Sequence, residues 1–356
     1  MDSRIEEHAR ILIDYSIEAS EGDSVMIFAG EKSKPLLKAI HKKLGKIGAT
    51  PYVVWGHDDA IQYELLNNWN KDADFESPDP ILAMMDECDS YISIEAPENK
   101  QSMNNLSNDI VDEYNTARSE IITKQVNEMN WVVTNHPTDA FAQLANMSTE
   151  EYKNMFYNAV IRDWEEQRKY QEQLVDLLSD STEIKLVSGN DTDICFEVGV
   201  VGTAHGKVNM PCGESYITPY WDTLNGHISF DFPTMINNKI VSGICLEFED
   251  GELIDYSAEQ NEHVLTKLLD TDDGASRIGE VGFGMNKGIT ESTTEILLDE
   301  KISGTVNLAL GFAYDDGERF NDSSIHKDII IDMREDSYIT ADDKTIFENG
   351  KYIFDN

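Results

Sequence analysis

Two short apolar runs, "SVMIFAG" (24–30) and "TPYVVWG" (50–56), flank a segment of helical spacing, "KPLLKAIHKKLGKIGA" (34–49). A strand, a helix and a strand at this separation cannot form a hairpin, because the intervening helix carries the chain back to the starting end of the first strand. The second strand then pairs parallel to the first, which commits the N-terminal half to an open parallel α/β sheet. Pro35 falls in the first turn of the helix and Gly48 just past its last, where each is favoured. The runs "SYISIEAP" (90–97) and "WVVTNHP" (131–137) continue the sheet. The stretch 148–178 reads as helical throughout, opened by the capping box "STEE" at 148–151.

Beyond about residue 180 the texture changes. Short apolar runs such as "HISFDFP", "TVNLALGFAY" and "DIIIDM" alternate with Gly, Asn and Asp turns, the pattern of an antiparallel β domain. The expected architecture is therefore α/β: an N-terminal open parallel α/β domain (1–180) followed by a β-rich, largely antiparallel metal-binding domain (181–356). The N-terminus, "MDSRIEEHARILIDYSIEAS", is charged from its second residue and reads as an amphipathic helix rather than a signal peptide. No apolar run reaches the roughly 18 residues of a membrane span. Cys88, Cys195, Cys212 and Cys245 are scattered without CxxC spacing, which fits reduced thiols in the cytoplasm.

The 68 acidic residues against 28 basic ones give a formal net charge of −40. Such a chain is repelled by nucleic acid and by anionic membranes. The acidity fits a surface adapted to high salt, with recruitment of metal ions or cationic partners as the alternative.

Several stretches offer chemistry. "FAGEK" (28–32) has a phosphate-loop position but neither glycine pattern that such loops use. "GEVGFGMNKG" (279–288) reads as turns and a bulged strand, and Cys212 as a small packed thiol with no marked base. In "SSIHKDIIID" (323–332), His326 and Asp328 project from the same face of a strand and Lys327 from the other. They form either an ion pair on a wet sheet or two ligands of one metal. Glu214, Glu280 and Glu300 are further carboxylates of the second domain that a cleft there could gather.

Six stretches, in order, resemble the thermophilic metalloaminopeptidases typified by aminopeptidases T and S. They are "MNWVVTNHPTDAFAQLANMSTEEY", "GNDTDICF", "NMPCGESYITP", "GASRIGEVGFGMN", "LLDEKISGTVNLALGFAY" and "NDSSIHKDIIID". The resemblance covers most of the chain. It implies a homodimeric enzyme that removes N-terminal residues from peptides with two divalent ions, Zn, Co or Mn. By the same resemblance Glu214, Glu280, Glu300, His326 and Asp328 are metal ligands, Glu280 bridges the ions, and Tyr314 stands beside them. Carboxylate and imidazole suit such ions. A pair of ions sharing a water would activate it and polarise the scissile carbonyl. A tyrosine hydroxyl would donate to the developing oxyanion. One position departs from the pattern: Asn307 stands where the family has a metal-binding histidine. An amide oxygen is a weak ligand, so the expectation is one tight and one loose or absent ion, with a non-catalytic or single-metal binding protein as the alternative.

Overall fold

The computed structural model describes residues 2–56, 59–70, 72–237, 239–314 and 317–355. The chain forms two compact units, one of Met1–Ile161 with Gly206–Pro211 and one of Arg162–His205 with Cys212–Asn356.

The first unit is built on a parallel five-stranded sheet. Its order is Thr50–Trp55, Ser24–Ala29, Ser90–Glu95, Asn130–Asn135 and Asn209–Met210. The strand Ser24–Ala29 is apolar on both faces because a parallel sheet is covered on both sides, and Val25, Met26, Ile27 and Ala29 are fully buried. The helix Lys34–Ile47 packs Leu36, Ile40 and Leu44 inward at intervals of one turn. Gly48 ends it with φ +84°, and its N–H donates to the Leu44 carbonyl. A side chain at that φ would be strained, which is why glycine closes the helix. The N-terminal helix, Ser3–Ile11, runs on as a wider turn over Leu12–Ser16.

The helical stretch expected to be continuous over 148–178 is two helices, Thr149–Val160 and Trp164–Ser179. The capping box forms: the Ser148 hydroxyl accepts from the Glu151 N–H, and the Glu151 carboxylate from the Ser148 N–H. Helical periodicity did not reveal the break, which comes from a second cap. Ile161 leaves helical backbone, and the Asp163 carboxylate accepts from the N–H groups of Glu165 and Glu166. An aspartate that satisfies these orphan donors starts a new helix more readily than it continues an old one.

The second unit holds a large antiparallel sheet. Its main path runs His326–Asp332, Thr305–Gly311, Ile278–Gly284, Glu214–Pro219, Thr192–Ala204, Glu183–Ser188, Ser337–Ala341, Lys344–Glu348 and Lys351–Tyr352. The expected α/β class, a parallel half followed by an antiparallel one, is what the chain adopts. Among the described residues no helix is long and apolar enough to cross a membrane.

Candidate metal centre

The site lies on one face of four adjacent strands in the second unit. Cross-strand partners in an antiparallel sheet point to the same side. Asp328 pairs with Ala309, and Ala309 with Glu280. Asn307 pairs with Gly282, Gly282 with Tyr216, and Gly284 with Glu214. Residues two apart on a strand share a face, so His326, Asp328, Asn307, Glu280 and Glu214 all project from one surface. The opposite surface carries Ile217, Val281, Phe283, Val306, Leu308, Leu310, Ile329 and Ile331, all in the main hydrophobic core. Burial of that apolar face fixes the register, and a slip of one residue would turn every site side chain into the core.

Small residues open the polar face. A Cβ at Gly282 would lie 2.0 Å from Asn307 Oδ1 and 2.1 Å from Glu214 Oε1. Glycine serves here by close approach rather than by its φ: any side chain would push the Asn307 and Glu214 side-chain ends aside.

Glu280, His326 and Asp328 each present one ligand atom within 4.8 Å of the others. The His326 Nδ1–H donates to the Phe312 carbonyl at 2.8 Å. This leaves Nε2 aimed at the carboxylates, 3.6 Å from Asp328 Oδ2, the orientation that a backbone acceptor imposes on metal-binding histidines. Burial alone would depress the imidazole pKa, but Asp328 and Glu280 raise it above the ordinary value. Asp328 is held low despite its burial, chiefly by His326. Glu280 is only 6% exposed. Burial, then the charges of Glu214 and Asp328, push its pKa well above the usual carboxylate range against the opposing charges of His326 and Lys301, and among the described residues no hydrogen bond offsets them.

Glu214 stands in the same basin, its pKa raised mainly by burial. Gln171, from the helix Trp164–Ser179, fixes the backbone there by donating to the Glu214 carbonyl at 2.7 Å. Both Glu214 carboxylate oxygens have cationic or N–H neighbours. Asn307 Nδ2 donates to Glu214 Oε1 at 3.0 Å and to Asp328 Oδ1 at 2.9 Å, while Lys301 Nζ lies 3.9 Å from Glu214 Oε2. Glu300, just past the short helix Ile296–Asp299, is ion-paired to the same lysine.

Tyr314 is 61% exposed, its ring centroid 4.9 Å from that of His326. Its pKa is raised by the protein packed around it and by the charges of Glu280, Asp328 and Glu214. With so much of the residue open to solvent, the carboxylates are the stronger reason that the phenol keeps its proton.

The face thus brings together Glu214, Glu280, Asn307, His326 and Asp328, flanks them with Tyr314, and sets Glu300 behind a lysine. Lys301 was not anticipated, and the only sequence signal for it is its place beside Glu300. Gln171 carried no signal, because its role depends on helix packing. Cys212 is a packed thiol: it is buried and donates to the Ala204 carbonyl at 3.0 Å.

The donor set of Glu280, His326 and Asp328 fits a divalent ion: two carboxylates and an imidazole with an oriented free nitrogen. The Glu214–Glu300 position fits a second ion less well, because an ammonium and an amide N–H face its carboxylates.

The comparisons with known proteins point to metallopeptidases. The chain is 25% identical to aminopeptidase 2 of Geobacillus stearothermophilus over a 412-residue alignment that covers 99% of this chain and 98% of that protein. It is 34% identical to aminopeptidase AmpS of Bacillus subtilis over 169 residues, 41% of this chain and 40% of that one. Among solved structures, wild-type AmpT from Thermus thermophilus superposes with a TM-score of 0.86 at 20% identity, with 99% of each chain covered. A 2,5-dihydroxypyridine dioxygenase from Pseudomonas putida superposes with a TM-score of 0.59 at 14% identity, covering 100% of this chain and 99% of that one. These two likenesses establish the fold alone. The family model for the thermophilic metalloproteases (M29) matches residues 1–352. The chain therefore belongs to the thermophilic metalloprotease (M29) family, the metal-dependent enzymes that hydrolyse peptide bonds.

Proposed function

We propose that the protein is a metal-dependent aminopeptidase whose ion is held by Glu280, His326 and Asp328. The observation that carries this reading is the convergence of those three ligand atoms within 4.8 Å on one sheet face. A buried carboxylate with no hydrogen-bonding partner among the described residues, set against two further acids, is costly unless a cation neutralises it. A bound divalent ion, Zn, Co or Mn, would supply Lewis acidity and a water of lowered pKa.

The chain's own groups do the rest. His326 is held by the Phe312 carbonyl so that Nε2 faces the site. Glu280, whose carboxylate faces the same basin, would accept the proton of the attacking water once the ion is held. Tyr314 keeps its proton and donates to the developing oxyanion. The net charge of −40 favours substrates with a free, positively charged N-terminus over nucleic acid. The catalytic machinery is assigned to the second unit. The resemblance to the family further supports a homodimer in the cytoplasm.

The test is hydrolysis of Leu-p-nitroanilide and of an unblocked peptide beside its N-acetylated form, with chelator and with Zn²⁺, Co²⁺ or Mn²⁺ restored. Turnover should vanish in chelator, return with metal, and be confined to the unblocked peptide. A folded, metal-loaded protein silent on every substrate would overturn the proposal. Asn307 and Lys301, which place N–H groups where ligands are expected, favour a binding protein without turnover as the second reading.

A further inference from the structure

Lys301 is the most completely buried charged side chain of the site, at 0% exposure. Its ammonium pairs with Glu300 and faces Glu214 Oε2 at 3.9 Å. A lysine is almost never placed so deep without partners that need it. The residues around it follow the same logic. Asn307 Nδ2 directs its two hydrogens at Glu214 Oε1 and Asp328 Oδ1. An amide nitrogen has donors and no lone pair to give a metal. Glu214 therefore has one oxygen engaged by an N–H and the other facing an ammonium.

We propose that the Lys301 ammonium is a built-in cation standing in for a second metal ion between Glu214 and Glu300, so that the centre takes one divalent ion only. The inference rests on the reading that Glu280, His326 and Asp328 hold that ion. The geometry separates the two halves of the face. Glu280 and Asp328 converge on the free Nε2 of an imidazole, whereas Glu214 and Glu300 converge on a lysine ammonium. A metal entering the second position must come within about 2.0–2.2 Å of carboxylate oxygens. It would have to displace the ammonium, whose side chain is fully buried, from the two carboxylates it faces. The positive charge of Lys301 also opposes a further dication at such short range. Lys301 is a positioning residue in this scheme: it holds the Glu214 and Glu300 carboxylates in place without touching substrate.

The experiment is metal stoichiometry on the whole protein, which does not require turnover. Apo-protein is dialysed to equilibrium against Mn²⁺ or Zn²⁺ and the bound metal measured by elemental analysis, with the Mn²⁺ form also examined by electron paramagnetic resonance. The expected result is one ion per chain and the six-line spectrum of isolated Mn²⁺. Two ions per chain, or an exchange-coupled spectrum, would overturn the inference while leaving the aminopeptidase reading intact. No bound ion would overturn both. The double variant Lys301→Met with Asn307→His removes the ammonium and supplies an imidazole. It should take up a second ion, whereas Asn307→His alone should stay at one. A double variant that folds and still binds one ion would refute the role given to Lys301. Should it fail to fold, the spectrum and stoichiometry of the parent still decide.

Discussion

Replacement of Glu280 by glutamine separates the two opposing roles of this carboxylate. In the apo-protein the charge is a burden: Glu280 is 6% exposed and faces the charges of Glu214 and Asp328 with no hydrogen bond to offset them among the described residues. Gln is nearly isosteric and neutral, so Glu280→Gln in chelator should melt at or above the parent temperature. With metal the sign reverses. At a free ion concentration of 100 times Kd, binding stabilises the parent by about 2.7 kcal/mol. For a folded unit of this size about 1 kcal/mol moves Tm by about 2–4 °C, so the parent should gain about 5–10 °C. Loss of an outer partner of a ligand costs a site about 10–100-fold in affinity, and loss of one of three ligands costs at least the upper end of that range. At the same ion concentration the variant then sits near its own Kd. Its stabilisation falls to about 0.4 kcal/mol, a shift of about 1–2 °C. Thermal melts of both proteins, in chelator and with Mn²⁺ or Zn²⁺, give all four temperatures. A variant that keeps the full metal-induced shift, or that melts several degrees below the parent in chelator, would refute the reasoning. Peptidase activity should be abolished in the same variant.

Three further outcomes are expected. Tyr314→Phe should lower kcat about 10²–10³-fold, the loss typical for one oxyanion donor, with Tm and metal affinity unchanged because the residue is 61% exposed; unaltered kcat would remove Tyr314 from the chemistry. Gly282→Ala should destabilise by about 1–3 kcal/mol, since its Cβ would fall 2.0 Å from Asn307 Oδ1; a chemical denaturation curve reads the change, and a melt equal to the parent's would mean the strand can yield. His8, buried in the first unit, has its pKa lowered to about 3 by burial and then by His136. Its Nε2 lies 2.9 Å from the Thr134 hydroxyl, which donates its only hydrogen to the Met210 carbonyl, so Nε2 carries the proton. A depressed folded pKa means stability is fully present above the ordinary value of 6.5. It is lost as pH falls toward 3, at about 1.4 kcal/mol per pH unit. Urea midpoints of His8→Gln between pH 7 and 4 should fall less steeply than those of the parent, and parallel curves would show that His8 does not set the slope.

Much of this protein follows from local pattern. The strand–helix–strand spacing of 24–56 dictated a parallel sheet, because an apolar strand, a one-sided helix and a second strand admit few other packings. The alternation in "EVGFG", "VNLALG" and "HKDIIID" put the site residues and the core residues on opposite faces of their strands, since side-chain direction in a strand depends on parity alone. His326 and Asp328 on one face were therefore readable from their spacing. The helix break at Ile161–Asp163 was not, because helical periodicity hardly changes across a cap that replaces one helix with another. Nor could spacing say that Asp328, Ala309 and Glu280 form one row across three strands, which depends on registers set by burial of the opposite face. Least legible was Lys301. In the sequence it is one of 28 basic residues, next to an acidic neighbour, as charged residues on a wet surface commonly are. The tertiary fold closed the protein over it and brought Glu214, some 90 residues away in the chain, to the same ammonium. Solvation separates the two cases: an exposed lysine is satisfied by water, whereas a buried one must be satisfied by the carboxylates around it.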